Sequence, residues 1–340
     1  MAVICIVAAA VLIVAAVAAD ALFGKKNVER TGVAMGSVIT VSLRGTDDET
    51  IADSIIDRIT DEEVRHISRY SKNSEIYRLN QERSLALSES TAAVVEKSLE
   101  IAKASAGMFD ISIGRLSALW DFDSDSQIIP DSEAIESALF SCGFEKISQQ
   151  SGAYILTDGL EIDLGAVGKG VACDIALDIL ENSPAVSGAV ISVGGTILTY
   201  GKNDGKGAWT VGIRTPEKDD MSYFAKLRVS GTKFISTSGS YEKSFIRDGK
   251  LYHHILSPET GYPAESGLKS VTVSADNGLV ADALSTACFV LGPDHSAAIL
   301  EKYGADAVFV DTENNVYITQ GIADGFELTD DSYAFFEYGK

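Results

Sequence analysis

Four short stretches combine residue types that act on phosphates or hydroxyls. The first is Glu161-Ile162-Asp163-Leu164-Gly165-Ala166-Val167-Gly168-Lys169-Gly170, ahead of a helical run over 171–180. Its glycines permit a tight strand-to-helix turn, and Lys169 stands where the helix begins. Unpaired N–H groups and the helix dipole there favour an anion such as a pyrophosphate. The spacing is neither Walker A nor GxGxxG, and a merely tight turn uses the same glycines. In the second, Val280-Ala281-Asp282-Ala283-Leu284-Ser285-Thr286-Ala287, a helix stacks Asp282 and Thr286 on one face at i and i+4. Carboxylate and hydroxyl are hard ligands suited to Mg²⁺; the structural alternative is Asp282 near a helix start, accepting backbone N–H groups.

The third stretch is His253-His254-Ile255-Leu256-Ser257-Pro258-Glu259-Thr260-Gly261-Tyr262-Pro263. On a strand the two histidines point to opposite faces, so one can face a site. With no HExxH and no cysteine partner, zinc is disfavoured. A general base, a phosphate contact and a hydrogen-bonded structural histidine all fit the pattern. The fourth, Ser236-Thr237-Ser238-Gly239-Ser240-Tyr241-Glu242-Lys243, contains a Ser-x-x-Lys. The companion motifs of penicillin-binding enzymes are missing, so it reads as a hydroxyl-rich turn that hydrogen-bonds a ligand.

These stretches need elements to hold them. Residues 38–43 alternate like a strand, and Ile51, Ile55 and Ile59 recur at helical spacing up to about Ile67. A second helix is expected from about Ser90, with Val95, Leu99 and Ala102 inward and Gly107 as its stop. A third opens at Pro130-Asp131-Ser132-Glu133. Short β-rich runs come next at 154–157, 161–164, 189–193, 209–214 and 225–229. Runs 245–247 and 250–254 flank Asp248-Gly249, a hairpin signal because both turn positions need positive φ. Two late helices, 279–291 and 294–303, precede strands 307–310 and 316–319, joined through Asn314-Asn315. Strands and helices at irregular intervals predict an α+β fold rather than a repeating βαβ unit.

The chain has 340 residues, with 28 Lys and Arg against 49 Asp and Glu, a net charge of −21. Such acidity repels phosphate backbones and argues against a nucleic-acid partner. Hydrophobic content of 46% with 6 Pro excludes disorder. Residues 2–19 are apolar and uncharged, so residues 1–24 read as a signal peptide or a membrane anchor. Ala16-Val17-Ala18 suits cleavage, whereas Lys25 and Lys26 after the run oppose export of the downstream domain. Cys5, Cys142, Cys173 and Cys288 form no CxxC; the last three are expected to pack as small hydrophobes.

Taken together and in this order, the motifs resemble the FAD:protein FMN transferase family, the ApbE-like flavin transferases, over about residues 33–320. The likeness includes Met35-Gly36-Ser37, Tyr70, Ser74-Glu75-Ile76, Arg78-Leu79-Asn80 and Gly107-Met108-Phe109-Asp110-Ile111-Ser112-Ile113-Gly114. It continues through 163–170, Ser192-Val193-Gly194-Gly195, 236–241, 254–263 and 281–286. The resemblance implies one α+β catalytic unit over residues 25–340, a mixed sheet with flanking helices. It implies an extracytoplasmic enzyme, periplasmic or at the cell surface and tethered by its N-terminal hydrophobic helix. Such an enzyme splits FAD, transfers FMN to a Thr or Ser of an electron-transfer acceptor protein, and releases AMP.

By position, the resemblance gives Mg²⁺ to Asp282 and Thr286 with the Ala166 carbonyl. Asp163 and Lys169 receive the nucleotide end, Tyr70 and Met35 the flavin, and Ser238 and His254 the pyrophosphate, with Asp110 a further cofactor contact. His254, whose ordinary pKa lies near neutrality, is the candidate base toward the acceptor hydroxyl, a role Asp282 shares. Ser37 replaces the family's usual Thr, and Ser257-Pro258 its usual Asp-Pro, which removes a carboxylate near the ligand. An FAD pyrophosphatase and a flavin-binding protein without turnover are the alternatives.

Overall fold

The computed structural model describes residues 26–338 except 123, 125, 126, 158 and 204–206. The expected N-terminal hydrophobic helix, 1–24, lies outside the described residues. Within them, no helix is long and apolar enough to cross a membrane.

The chain first folds back on itself at Met35-Gly36, with φ of 54° and 64°, the twist a two-residue hairpin requires. This pairs β1 (Asn27–Ala34) antiparallel with β2 (Ser37–Arg44). The chain then leaves the sheet for residues 45–187 and returns as β3 (Gly188–Val193) and β4 (Thr196–Gly201). Next come β5 (Lys233–Gly239), β6 (Leu268–Ala275), β7 (Asp306–Asp311), β8 (Asn315–Ile318) and β9 (Ala334–Glu337). In space these nine strands stand in the order of the chain. All neighbours are antiparallel except β8 and β9, so the sheet is mixed, as expected.

Both faces of the sheet are covered, which is why β3 is buried at every position. Ala189, Ile191 and Val193 join a core with helices α1 (Glu49–Glu62), α2 (Glu89–Ala104), α3 (Gly168–Glu181) and α4 (Gly278–Leu291). Val190, between them, joins a second core under a small sheet of Trp209–Arg214, Tyr223–Val229 and Phe326–Leu328. A third core, around Leu116, Trp120, Ile135 and Phe245, joins the helices Gly114–Trp120 and Ser132–Ser141 to the hairpin Ser244–Arg247 and Lys250–His253.

The local signals act as expected at several places. Ile55 and Ile59 are fully buried on α1; Asp131 caps its helix by accepting from Glu133 N–H at 2.9 Å; Asp248 and Gly249 turn at φ 53° and 77°. Two expectations are corrected. Residues 161–164 form no strand, only a bridge between Glu161 and Ile113. The hydroxyl-rich stretch 236–239 belongs to β5, in the middle of the sheet, because burial beneath α4 overrides its turn-like composition.

Candidate active site

Helices α3 and α4 meet near their N-termini through Gly170 and Gly278. A Cβ on either glycine would collide with the other's carbonyl, so only glycine lets the backbones touch. Asn277 caps α4 by accepting from Val280 N–H at 3.0 Å, and Asp174 of α3 accepts from Gly278 and Leu279 N–H at 2.7 and 2.9 Å. Burial, reinforced by the nearby charge of Asp282, still outweighs these bonds and raises the Asp174 carboxyl to about 6.

A raised carboxyl pKa means the folded state binds the proton more tightly than the unfolded one. The stabilisation that protonated Asp174 contributes is therefore lost as pH rises from about 4 to 6. In urea titrations the stability of wild type relative to Asp174→Asn should be greater at pH 4 than at pH 8 by about 2 kcal/mol. A pH-independent difference would refute this.

Asp282, 3% exposed, lies one turn into α4. Its Oδ2 accepts from Gly170 N–H at 3.0 Å. In a continuous helix that N–H would reach back to the Ala166 carbonyl, which is thus left without its helical donor. Oδ1 accepts from the Ser236 hydroxyl at 2.8 Å; the single hydrogen of Thr196 is divided between Asp282 at 3.3 Å and Ser236 at 2.9 Å. Lys169 Nζ stands 3.8 Å from Oδ1. Asp282 therefore ties α3 to α4 and does not cap its own helix.

Alternation along β5 turns Ser236 and Ser238 toward α4, while Thr237 meets Thr272 on the opposite face at 2.9 Å. Ser238 Oγ lies 2.8 Å from Ser285 Oγ and 3.3 Å from Thr286 Oγ1. The turns of two hairpins close the site. A Cβ on Gly194 would lie 3.2 Å from Lys169 Cδ and 2.7 Å from Ser37 Oγ, and one on Gly168 would lie 3.6 Å from Met35 Sδ. Met35 is held at its turn by its N–H, which donates to Glu63 at 2.7 Å.

The strand ends at His253, so strand alternation does not set the direction of His254, and His253 is buried rather than turned to solvent. His253 sits 3.2 Å from the Ala264 carbonyl and packs edge-on against Phe289. His254 lies in the field of Lys169 and Lys243; burial first, then these two ammonium groups, lower its pKa to about 3. Among the described residues Nδ1 of each ring is buried without a hydrogen-bond partner. Ser257 Oγ accepts from Glu259 and Thr260 N–H at 3.3 and 3.4 Å. A carboxylate can close the same turn, so this departure keeps the loop shape.

The remaining expected residues form two further groups. Arg69, which the motifs did not single out, reaches Asp163 at 3.0 Å, Glu161 at 3.2 Å and the Gly114 carbonyl at 2.5 Å. Tyr70, 72% exposed, stacks over this guanidinium at 5.4 Å. Asp163 Oδ1 also accepts from Gly165 N–H at 2.8 Å, so this carboxylate shapes the loop ahead of Ala166. Asp110 stands apart: its two oxygens accept from Ser112 and Phe144 N–H at 2.7 and 2.9 Å, and burial raises its pKa. Met35, Ala166, Lys169 and Asp282 thus gather where α3 and α4 begin, with Ser238 and Thr286 in contact one turn further along α4 and Asp163 and Tyr70 flanking through Arg69.

Comparison with known proteins bears on the family and the fold. The ApbE family profile matches residues 35–309. The FAD:protein FMN transferase of Treponema pallidum is 33% identical over 72% of each chain, and that of Escherichia coli K12 is 33% identical over 85% of each. Among solved structures, the ApbE protein of Thermotoga maritima superposes with a TM-score of 0.73 at 30% identity, covering 89% of this chain and 97% of that one. The flavin transferase ApbE of Vibrio cholerae gives a TM-score of 0.73 at 26% identity over 91% and 98%.

Proposed function

This chain belongs to the ApbE family, and from that premise we propose that it is a magnesium-dependent transferase that moves FMN from FAD onto a Thr or Ser hydroxyl of an acceptor protein, releasing AMP. The observation that carries the proposal is the reach of Asp282 from α4 to the N-terminus of α3, where Gly170 N–H donates to it and Lys169 stands 3.8 Å away, with Thr286 one turn further along α4. A carboxylate, a hydroxyl one turn further along the same helix face, and the undonated Ala166 carbonyl are hard oxygen donors. With the Ala166 carbonyl counted only as one whose helical donor, Gly170 N–H, has turned to Asp282, they fit a small divalent cation that keeps part of its water. When bound, Mg²⁺ supplies charge neutralisation on pyrophosphate oxygens.

The chain's own residues do the rest. Lys169 and the N-terminus of α3 bind and orient the pyrophosphate, Met35 and Tyr70 line the flavin side, and Ser238 holds Thr286 in place. The acceptor oxygen forms a bond to the FMN phosphorus as the bridging bond to the AMP phosphate breaks. The hydroxyl proton passes to His254, which burial keeps neutral; the arriving pyrophosphate offsets Lys169 and Lys243 and raises its basicity. Asp282, the other candidate for that proton, already accepts three hydrogen bonds.

The apolar, uncharged run 2–19 supports placing domain 25–340 outside the cytoplasm, held at the membrane, with an electron-transfer protein as its acceptor. Incubating the protein with FAD, Mg²⁺ and such an acceptor should give a flavin-fluorescent acceptor band that survives denaturation. Free FMN and AMP with no labelled band would replace transfer by FAD hydrolysis. No AMP at all would leave only a flavin-binding protein.

A further inference from the structure

Lys169 occupies an unexpected place for a residue that only grips phosphate. Its Nζ lies 3.8 Å from Asp282 Oδ1, the carboxylate that the proposed function assigns to the divalent ion, and its side chain is only 26% exposed. The stem runs along Gly194, where a Cβ would stand 3.2 Å from Lys169 Cδ. The protein provides a track that keeps the ammonium beside the carboxylate. An ammonium and a divalent ion are both positive, and like charges a few ångströms apart repel strongly where water is scarce. Without an anion, the two compete for Asp282. A pyrophosphate at the N-terminus of α3 changes the balance, because its oxygens offer both cations a partner.

We propose that Lys169 couples the two ligands of the site: it neutralises Asp282 in the nucleotide-free protein, and turns to the pyrophosphate of FAD so that the divalent ion takes its place. The inference rests on the assignment of a divalent ion to Asp282 and Thr286. It makes loading cooperative and, by linkage, reciprocal: the ion strengthens FAD binding by the factor by which FAD strengthens ion binding. The free enzyme holds its metal poorly, and the ion and FAD load together.

One substitution should move the two affinities in opposite directions. Mn²⁺ titrated into nucleotide-free protein and followed by EPR should bind Lys169→Met about tenfold more tightly than wild type, a change of about 1.4 kcal/mol. FAD titrated in EDTA and followed by flavin fluorescence should bind Lys169→Met about tenfold more weakly. Lys169→Arg, which retains the charge, should keep Mn²⁺ affinity near the wild-type value. Equal or weaker Mn²⁺ binding by Lys169→Met overturns the coupling and leaves the metal site standing, and weakening of both ligands is damage to the fold and overturns it too. Absence of Mn²⁺ binding by wild type and variant alike, with or without FAD, overturns the metal site and the coupling with it.

Discussion

Asp282→Asn should lower FMN transfer by about a thousandfold, some 4 kcal/mol of transition-state stabilisation, while the protein still folds. The amide is nearly isosteric, and its oxygen can still accept from Ser236 and Thr196. It cannot reproduce the other half of the group. Its NH₂ would face the Gly170 N–H, which now donates to Oδ2 at 3.0 Å, and Lys169 at 3.8 Å from Oδ1 would lose its counter-charge. The negative charge that draws a divalent ion disappears as well. Initial rates of acceptor labelling at saturating FAD and Mg²⁺, with a thermal melt beside them, check this. Retention of more than about a tenth of the activity, a change worth under about 1.4 kcal/mol, would remove Asp282 from the reaction.

The second large effect belongs to a residue without a side chain. Gly170→Ala should destabilise the protein by about 3 kcal/mol, at the upper end of overpacking effects, because the new methyl meets the Gly278 carbonyl and Leu279 nitrogen, which are backbone and cannot swing away. The two helices must separate, and the N–H that Gly170 gives Asp282 moves with them. A displacement of about 1 Å can cost about a hundredfold in rate, so activity should fall further than stability alone accounts for. Gly168→Ala is the control: its Cβ would find ordinary contacts at 3.5 Å to Ile67 and 3.6 Å to Met35. Urea unfolding of both variants decides the matter; equal stabilities would refute the crossing as the cause.

Distance along the chain explains which parts of the site the sequence made legible and which it hid. Asp282 and Thr286 are readable as a pair because a helix sets their spacing locally. The groups that position Asp282 are not, since Gly170, Thr196 and Ser236 lie 112, 86 and 46 residues away. Serines, threonine and glycine at 236–239 carry turn chemistry, yet α4 covers them and makes them strand. Strand β1 escaped notice because its pattern is largely exposed, with Val28 and Ala34 its buried positions. Arg69, which organises Asp163 and Tyr70, had no local signal beyond its place next to Tyr70. Asp110 sits in a recognisable motif, but its carboxylate serves the backbone of Ser112 and Phe144.

The strands of the large sheet succeed one another in space as they do in the chain, and the longest departure between successive strands is 45–187. Tyr70, Asp163 and Lys169 lie in that departure, whereas Ser238 lies on β5 and Asp282 and Thr286 on α4, in the shorter connection between β6 and β7. The site is a seam between two stretches that are far apart in the chain and joined at Asp282. Ser236 and Thr196 seat Asp282 from the sheet side and Gly170 from the departure, so a backbone shift in either stretch reaches the same carboxylate.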